Sequence, residues 1–151
     1  MLNEDLKTKI TELLPSVTFE ESEWVTADVE SRHWPRFALQ LHNESSLFFD
    51  YLFCLTCIDW KTHLTMVYHL SSTRYRHTIV VKAKLDRNDP RIETVSNIWR
   101  TAEFHEREVY EMFGVNFGNH PDLRLLILPD GWEGKNPMLK DFEDPVNMIR
   151  L

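Results

Sequence analysis

The chain has 151 residues, 42% of them hydrophobic and 12% aromatic, and a formal charge of −7, which fits one domain with a core that buries about two-thirds of the unfolded surface. The negative charge and the lack of a Lys/Arg stripe exclude an electrostatic grip on nucleic acid. No apolar run approaches the roughly 20 residues of a membrane-spanning helix, and residues 1–5 lack the basic start of a secretory signal.

Leu2, Leu6, Ile10, Leu13 and Leu14 recur at helical spacing until Pro15, which predicts a helix over 3–14. Residues 17–20 and 23–29, rich in β-branched and aromatic side chains and joined by Glu21-Ser22, predict a hairpin. Trp34, Phe37, Ala38 and Leu41 lie at i, i+3, i+4 and i+7 with Pro35 in a first turn, so 33–43 is a second amphipathic helix. Three β-like runs follow, 51–60, 64–70 and 77–85, and their short polar connections favour antiparallel neighbours. Residues 86–90 read as a loop, 95–99 as a helical turn, and 101–113 as the last clear helix, ended by Gly114 as a left-handed cap. This order predicts an α+β fold in two layers, a mixed sheet of about five strands with helices packed on one face, followed by an irregular C-terminal segment. The expected division is a body over 1–122 and an extended segment over 123–151 packing on a partner.

Cys54 and Cys57 have the Cys-x-x-Cys spacing of redox and metal sites. On a strand, however, residues three apart point to opposite faces, so both are expected to be buried and to serve as small hydrophobic side chains. Trp24, Trp34, Trp60 and Trp99 are expected as core or interface anchors.

On the last helix Glu103, Arg107 and Glu111 stand four apart, so Arg107 is expected to bridge two carboxylates. All four glycines, Gly114, Gly118, Gly131 and Gly134, follow within about twenty residues. Pro129-Asp130-Gly131 reads as a turn with proline second, and 133–137 as another. A long irregular loop is usually functional or disordered, and Leu123, Leu125, Leu126, Ile127, Leu128 and Trp132 argue for order and hence for partner-binding backbone. Catalytic readings fare poorly. His105, Glu106, Glu108 and His120 contain no His-Glu-x-x-His pair, and neither a nucleophile elbow nor a phosphate-cradling Gly-rich loop occurs.

The pattern Glu106-Arg107-Glu108, Glu111-Met112-Phe113-Gly114, His120-Pro121-Asp122-Leu123-Arg124, Trp132-Glu133-Gly134 and Lys140-Asp141-Phe142 resembles the C subunit of NADH-quinone oxidoreductase, the 30-kilodalton-type subunit of respiratory complex I. Upstream, Ile58-Asp59 and 67–70 are similar to that family's strands. Three positions depart from its pattern: Asn119 precedes His120 where glycine is usual, Leu125 replaces a second Arg, and Met138-Leu139 replaces Leu-Arg. The resemblance implies a peripheral-arm subunit without a catalytic site, binding the D subunit of that complex and supporting electron transfer from NADH to quinone. It nominates Glu106, Arg107, Glu108, Glu111, Phe113, Gly114, His120, Pro121, Asp122, Arg124, Trp132, Lys140, Asp141 and Phe142 as partner-interface or structural positions. It further implies that this chain holds no cofactor, with FMN, iron-sulfur clusters, NADH and quinone on other subunits, and a peripheral location on the cytoplasmic side of a bacterial inner membrane. The equivalent subunit of a membrane-bound energy-converting nickel-iron hydrogenase is the alternative.

Overall fold

The computed structural model describes residues 3–144 and 146. Its elements are α1 (Asn3–Leu13), β1 (Thr18–Glu20), β2 (Val25–Glu30), α2 (Trp34–Asn43), β3 (Tyr51–Asp59), β4 (Leu64–Ser71), β5 (Thr78–Leu85), β6 (Arg91–Glu93), α3 (Ala102–Phe113) and β7 (Asn116–Gly118). Every helix and long strand lies where residue periodicity predicts it, and the turn at 95–99 closes with the Trp99 N–H on the Val95 carbonyl at 2.9 Å. The expected fold class holds.

Five strands form a mixed sheet in the order β1-β2-β5-β4-β3. The β3–β4 and β4–β5 pairs are antiparallel, as short connections require, and so is the β1–β2 hairpin. The β2–β5 pair is parallel, with Val25 opposite Ile79 and Ala27 opposite Val81, and α2 lies within the long connection between them. One hydrophobic cluster joins Leu6 and Ile10 of α1, Trp34 and Phe37 of α2 and Val109 of α3 to alternate residues of the central strands, including Ala27, Val81, Met66 and Tyr68. All three helices therefore cover the same sheet face.

At the centre, the fully buried Trp34 ring lies 4.5 Å from Tyr68 and stacks 6.3 Å from Trp99. The Trp99 indole N–H donates to the Phe49 carbonyl at 2.9 Å, and the Thr101 hydroxyl to the Leu52 carbonyl at 2.8 Å. The entry to α3 is thus fastened to the start of β3. A register shift between Leu52 and Cys54 marks a bulge, beyond which Leu55, Cys57 and Asp59 face inward. Cys57 is buried and Cys54 half-exposed, and burial pushes the Cys57 thiol up to about 12. That thiol is protonated and unreactive at neutral pH.

The segments on either side of α3 form a two-stranded parallel sheet, with Arg91 opposite Asn116 and Glu93 opposite Gly118, where residue pattern predicts no strand. Three-residue strands 25 positions apart leave no local periodicity to read.

Trp34→Ala is expected to cost about 3–5 kcal/mol of unfolding free energy in urea titration, whereas Trp24→Ala, at a site 44% exposed, changes stability by less than about 1 kcal/mol.

Candidate partner-binding surface

Helix α3 turns Ala102 and Val109 towards the core and ends at Gly114, whose φ of +80° lets its N–H reach the Tyr110 carbonyl at 2.9 Å. A Cβ on Gly114 would also meet the Asn136 side-chain nitrogen at 2.6 Å. Glycine is needed here both for the cap and for the close passage of the C-terminal segment.

Arg107 and Glu111 share one face of α3, as their spacing predicts, but the expected bridge between Glu103, Arg107 and Glu111 does not form. Arg107 donates to two backbone carbonyls, Nε to Arg124 at 3.1 Å and Nη2 to Leu125 at 2.6 Å. The Glu111 carboxylate accepts three consecutive backbone N–H groups, from Leu126 and Ile127 at 2.9 Å and Leu128 at 3.2 Å. The physical reason is that residues 124–128 belong to no helix or strand, so their polar backbone must find side-chain partners. Arg107 and Glu111 are 7% and 1% exposed. These two ionic groups are therefore covered by this chain's own backbone, and charge-assisted hydrogen bonds of this kind contribute about 1.5–3 kcal/mol each.

Glu106 also points inward and is completely buried. Its carboxylate meets the Thr94 hydroxyl at 2.8 Å and the Val95 N–H at 3.2 Å, and no ion pair to it occurs among the described residues. Burial pushes this carboxyl up to about 7, opposed by the hydrogen bonds from Thr94 and Val95. Glu93, behind it, holds the next loop: it accepts from the Asn119 amide, and a Cβ on Gly118 would meet its Oε2 at 2.7 Å. Asn119 takes a φ of +61°, a conformation asparagine tolerates. His120 accepts the Asp122 N–H at Nδ1 (3.0 Å), so its Nε2 carries the proton donated to the Glu103 carbonyl at 2.9 Å. This histidine ties the loop to the first turn of α3.

A second anchor holds the far end of the segment. Asp59, an acid at an inward-facing strand position, receives Arg87 Nε at 2.9 Å, Arg87 Nη2 at 2.8 Å, the Lys61 N–H at 2.8 Å and the Lys140 N–H at 2.8 Å. Arg87 also binds Asp141, at 3.0 Å. The Arg87 guanidinium holds Asp59 well below the usual carboxylate range and lowers Asp141 as well. Residue pattern places Asp59 within a strand, where Ile58-Asp59 also carries the family resemblance, and Arg87 within a loop, and it assigns neither a role in the site. The alternation Leu55, Cys57, Asp59 is the available signal, because it places an acid on the buried face.

Between the anchors the chain makes successive tight turns. The Trp132 N–H donates to the Pro129 carbonyl at 3.2 Å, so Pro129 opens its turn instead of taking the expected second position, and Gly131, at φ +91°, takes the third. Phe142 lies 6.3 Å from Trp132, Leu123 and Leu139 pack against the core, and the Met138 N–H reaches the Met112 carbonyl at 3.0 Å. Residues 123–142 are thus fastened along α3 and the sheet edge, while 145 and 147–151 of the expected extended segment lie outside the described residues. Phe113 is half-buried against the core. Glu108, Pro121 and Arg124 are exposed, and Arg124 pairs at the surface with Asp122 at 3.0 Å. Four large apolar side chains are exposed on the same region: Phe104 (56%), Leu126 (39%), Ile127 (63%) and Met138 (57%). A separate concavity of about 1020 Å³ lies on the open sheet face, where Glu20 and Lys82 pair at 3.0 Å, and it gathers no comparable set of fixed groups.

Glu111→Ala leaves three N–H donors without their acceptor and is expected to cost about 3 kcal/mol, with rapid amide exchange at 126–128, while Glu108→Ala stays within about 0.5 kcal/mol. Glu106 adds a pH dependence. Its folded pKa of about 7 lies above the ordinary 4.5, so its contribution is full below about pH 4.5 and is lost as pH rises through 7, a change on the order of 3 kcal/mol. Chemical denaturation between about pH 5 and 7.5 should show that fall, and Glu106→Gln should flatten it. Asp59, lowered from 3.8, acts with the opposite sign in a separate acidic window, losing its contribution as pH falls below that value.

The family described as the respiratory-chain NADH dehydrogenase 30 Kd subunit matches residues 27–146, from β2 through both anchors. The NADH-quinone oxidoreductase C subunit of Chloroherpeton thalassium is 38% identical over 112 residues, 73% of this chain and 46% of that protein. The NADH-quinone oxidoreductase C/D subunit of Phocaeicola vulgatus is 44% identical over 104 residues, 68% of this chain and 20% of that one. The chain spans less than half the length of either relative. A chain in the solved structure of the membrane-bound sulfane sulfur reductase, an archaeal respiratory membrane complex, superposes with a TM-score of 0.81 at 26% identity, covering 93% of this chain and 85% of its own. With its α+β architecture, its anchored C-terminal segment and a match over most of its length, the chain belongs to the respiratory-chain NADH dehydrogenase 30 Kd subunit family.

Proposed function

We propose that this chain is a non-catalytic peripheral-arm subunit of a proton-translocating NADH:quinone oxidoreductase, where it binds and supports the D subunit on the path of electrons from NADH to quinone. The observation that carries the reading is the relative whose name joins the C and D subunits in one protein, with a region 44% identical to this chain. Two components found within one polypeptide act side by side, and the same juxtaposition is assigned here to separate chains. The geometry of the site fits that role. Its ionic groups are spent on holding backbone, and the polar groups of α3 converge on the chain's own loops instead of on a reacting centre. FMN, iron-sulfur clusters, NADH and quinone are accordingly assigned to other subunits, and the chain to the cytoplasmic side of the inner membrane as a peripheral component. Among the described residues no helix is long and apolar enough to cross a membrane, which accords with that placement.

The likeness to a chain of the sulfane sulfur reductase complex favours a second reading, the same subunit in an assembly with a different terminal reaction. A nickel-iron hydrogenase of the energy-converting type is another assembly of this kind. The local task would be unchanged, because in each case the reacting groups sit on the neighbour.

Affinity capture of the tagged full chain from native membranes is expected to recover the D subunit with flavin and iron-sulfur subunits and quinone-dependent NADH oxidation. Recovery of a nickel-bearing or sulfur-reducing partner would transfer the chain to the second reading, and recovery of the chain alone would overturn both.

A further inference from the structure

We propose that Glu106 is a proton-binding site closed by Thr94 and Ser96, and that loss of its proton opens the β6–β7 sheet while the five-stranded sheet stays folded. The site lies wholly within this chain and is independent of any partner.

Among the described residues three acids are buried, Asp59, Glu106 and Glu111, and Glu106 has the poorest set of donors. Asp59 receives a bidentate guanidinium and two backbone N–H groups, and Glu111 receives three backbone N–H groups. Glu106, 0% exposed, meets the Thr94 hydroxyl at 2.8 Å from both carboxyl oxygens and the Val95 N–H at 3.2 Å from Oε1. As a carboxylate it would share one hydroxyl proton between two oxygens and face no cation, a costly state for a buried group. With a proton on Oε2 the groups form one chain, in which Glu106 donates to Thr94 and Thr94 donates to the Ser96 hydroxyl oxygen at 2.8 Å. Oε1 keeps the Val95 N–H. The ionisable groups next to the site favour the acid as well. Glu93 of β6 adds a negative charge, the Tyr68 phenol on β4 is itself pushed up by burial and by Glu106, and Arg107 is spent on the carbonyls of 124 and 125.

The weak wall of the site is the small sheet. Thr94 and Val95 follow β6 directly, and the Thr94 N–H donates to the Gly118 carbonyl of β7 at 2.9 Å. Strands β6 and β7 have three residues each, whereas β4 and β5 have eight each and lie inside the five-stranded sheet. Helix α3 is the stiffer wall, because Ala102 and Val109 sit in the core and Arg107 and Glu111 bind the segment that follows. A concavity of about 500 Å³, whose lining includes Ser96, Arg100, Glu103 and Asn119, lies on the solvent side of Ser96. Ser96 and Thr94 thus stand between that concavity and the carboxyl group. Hydrating an ionised Glu106 parts the 94–96 turn, and with it the bond from Thr94 to Gly118.

The test is amide hydrogen exchange of the full-length chain, corrected for intrinsic rates, at about pH 5 and about pH 8 in low concentrations of urea. With a pKa of about 7 when closed and the ordinary 4.5 when hydrated, opening at Thr94 should rise on the order of fifty-fold between these conditions. It should be almost independent of urea, because a local opening exposes little surface, while amides of β4 and β5 exchange through urea-sensitive global unfolding. Glu106→Gln, a neutral isostere, should abolish the pH-dependent part. Carbon-13 NMR of the wild-type carboxyl groups should show one glutamate titrating near 7 that is lost in this variant. Thr94 exchange that is unchanged between the two conditions, that proceeds only through urea-sensitive unfolding, or that keeps its pH dependence in Glu106→Gln overturns the opening. A Glu106 carboxyl that titrates near 4.5 overturns the proton site itself.

Discussion

Five consecutive residues, 124–128, have backbone polar groups that neither helix nor strand can satisfy, and the arrangement of the C-terminal half depends on how α3 meets that need. A cation serves the carbonyls and an anion serves the amides, in chain order, from two positions one helical turn apart. Water would satisfy the same groups if the segment were loose. Two buried side chains with matched charge hold it instead in one place, and Leu126 and Ile127 are displayed because the polar side of the segment faces inward.

The second anchor links that segment to the sheet. Asp59 closes β3 and receives the Lys140 N–H across 81 positions of sequence, with Arg87 serving Asp59 and Asp141 together. A buried carboxylate requires such a partner, and here the guanidinium supplies bidentate hydrogen bonds as well as charge. Glu106 is managed differently. It has hydroxyl and amide donors and no paired cation among the described residues, so burial moves its proton affinity to near neutrality. The two buried acids therefore respond to pH in opposite senses.

For a member of the 30 Kd family this changes the meaning of the signature charges. Glu106, Arg107 and Glu111 organise the chain itself, and what they organise is a surface. Glu108 and Arg124 remain outside, and His120 works through its ring nitrogens as a connector between backbone groups. A charged motif in sequence can thus be engaged in holding the chain's own backbone.

Local physics made much of this legible in advance. The leucine spacing of α1, the Trp34 to Leu41 stripe of α2, the antiparallel order forced by short turns, the left-handed Gly114 and the opposed faces of Cys54 and Cys57 all follow from backbone period and residue type, which the sequence carries by itself. So does the family, through residues that stand in a fixed order along α3 and beyond it. The tertiary structure alone decided which groups meet: the parallel β2–β5 pair, the small β6–β7 sheet, Arg107 on carbonyls instead of carboxylates, and Asp59 joined to Arg87 and Lys140. Those contacts join residues from 17 positions apart, as at Arg107 and Arg124, to 81, as at Lys140 and Asp59. Spacing along a chain limits which side chains share a face, but the partner opposite that face is selected only when the whole chain has packed.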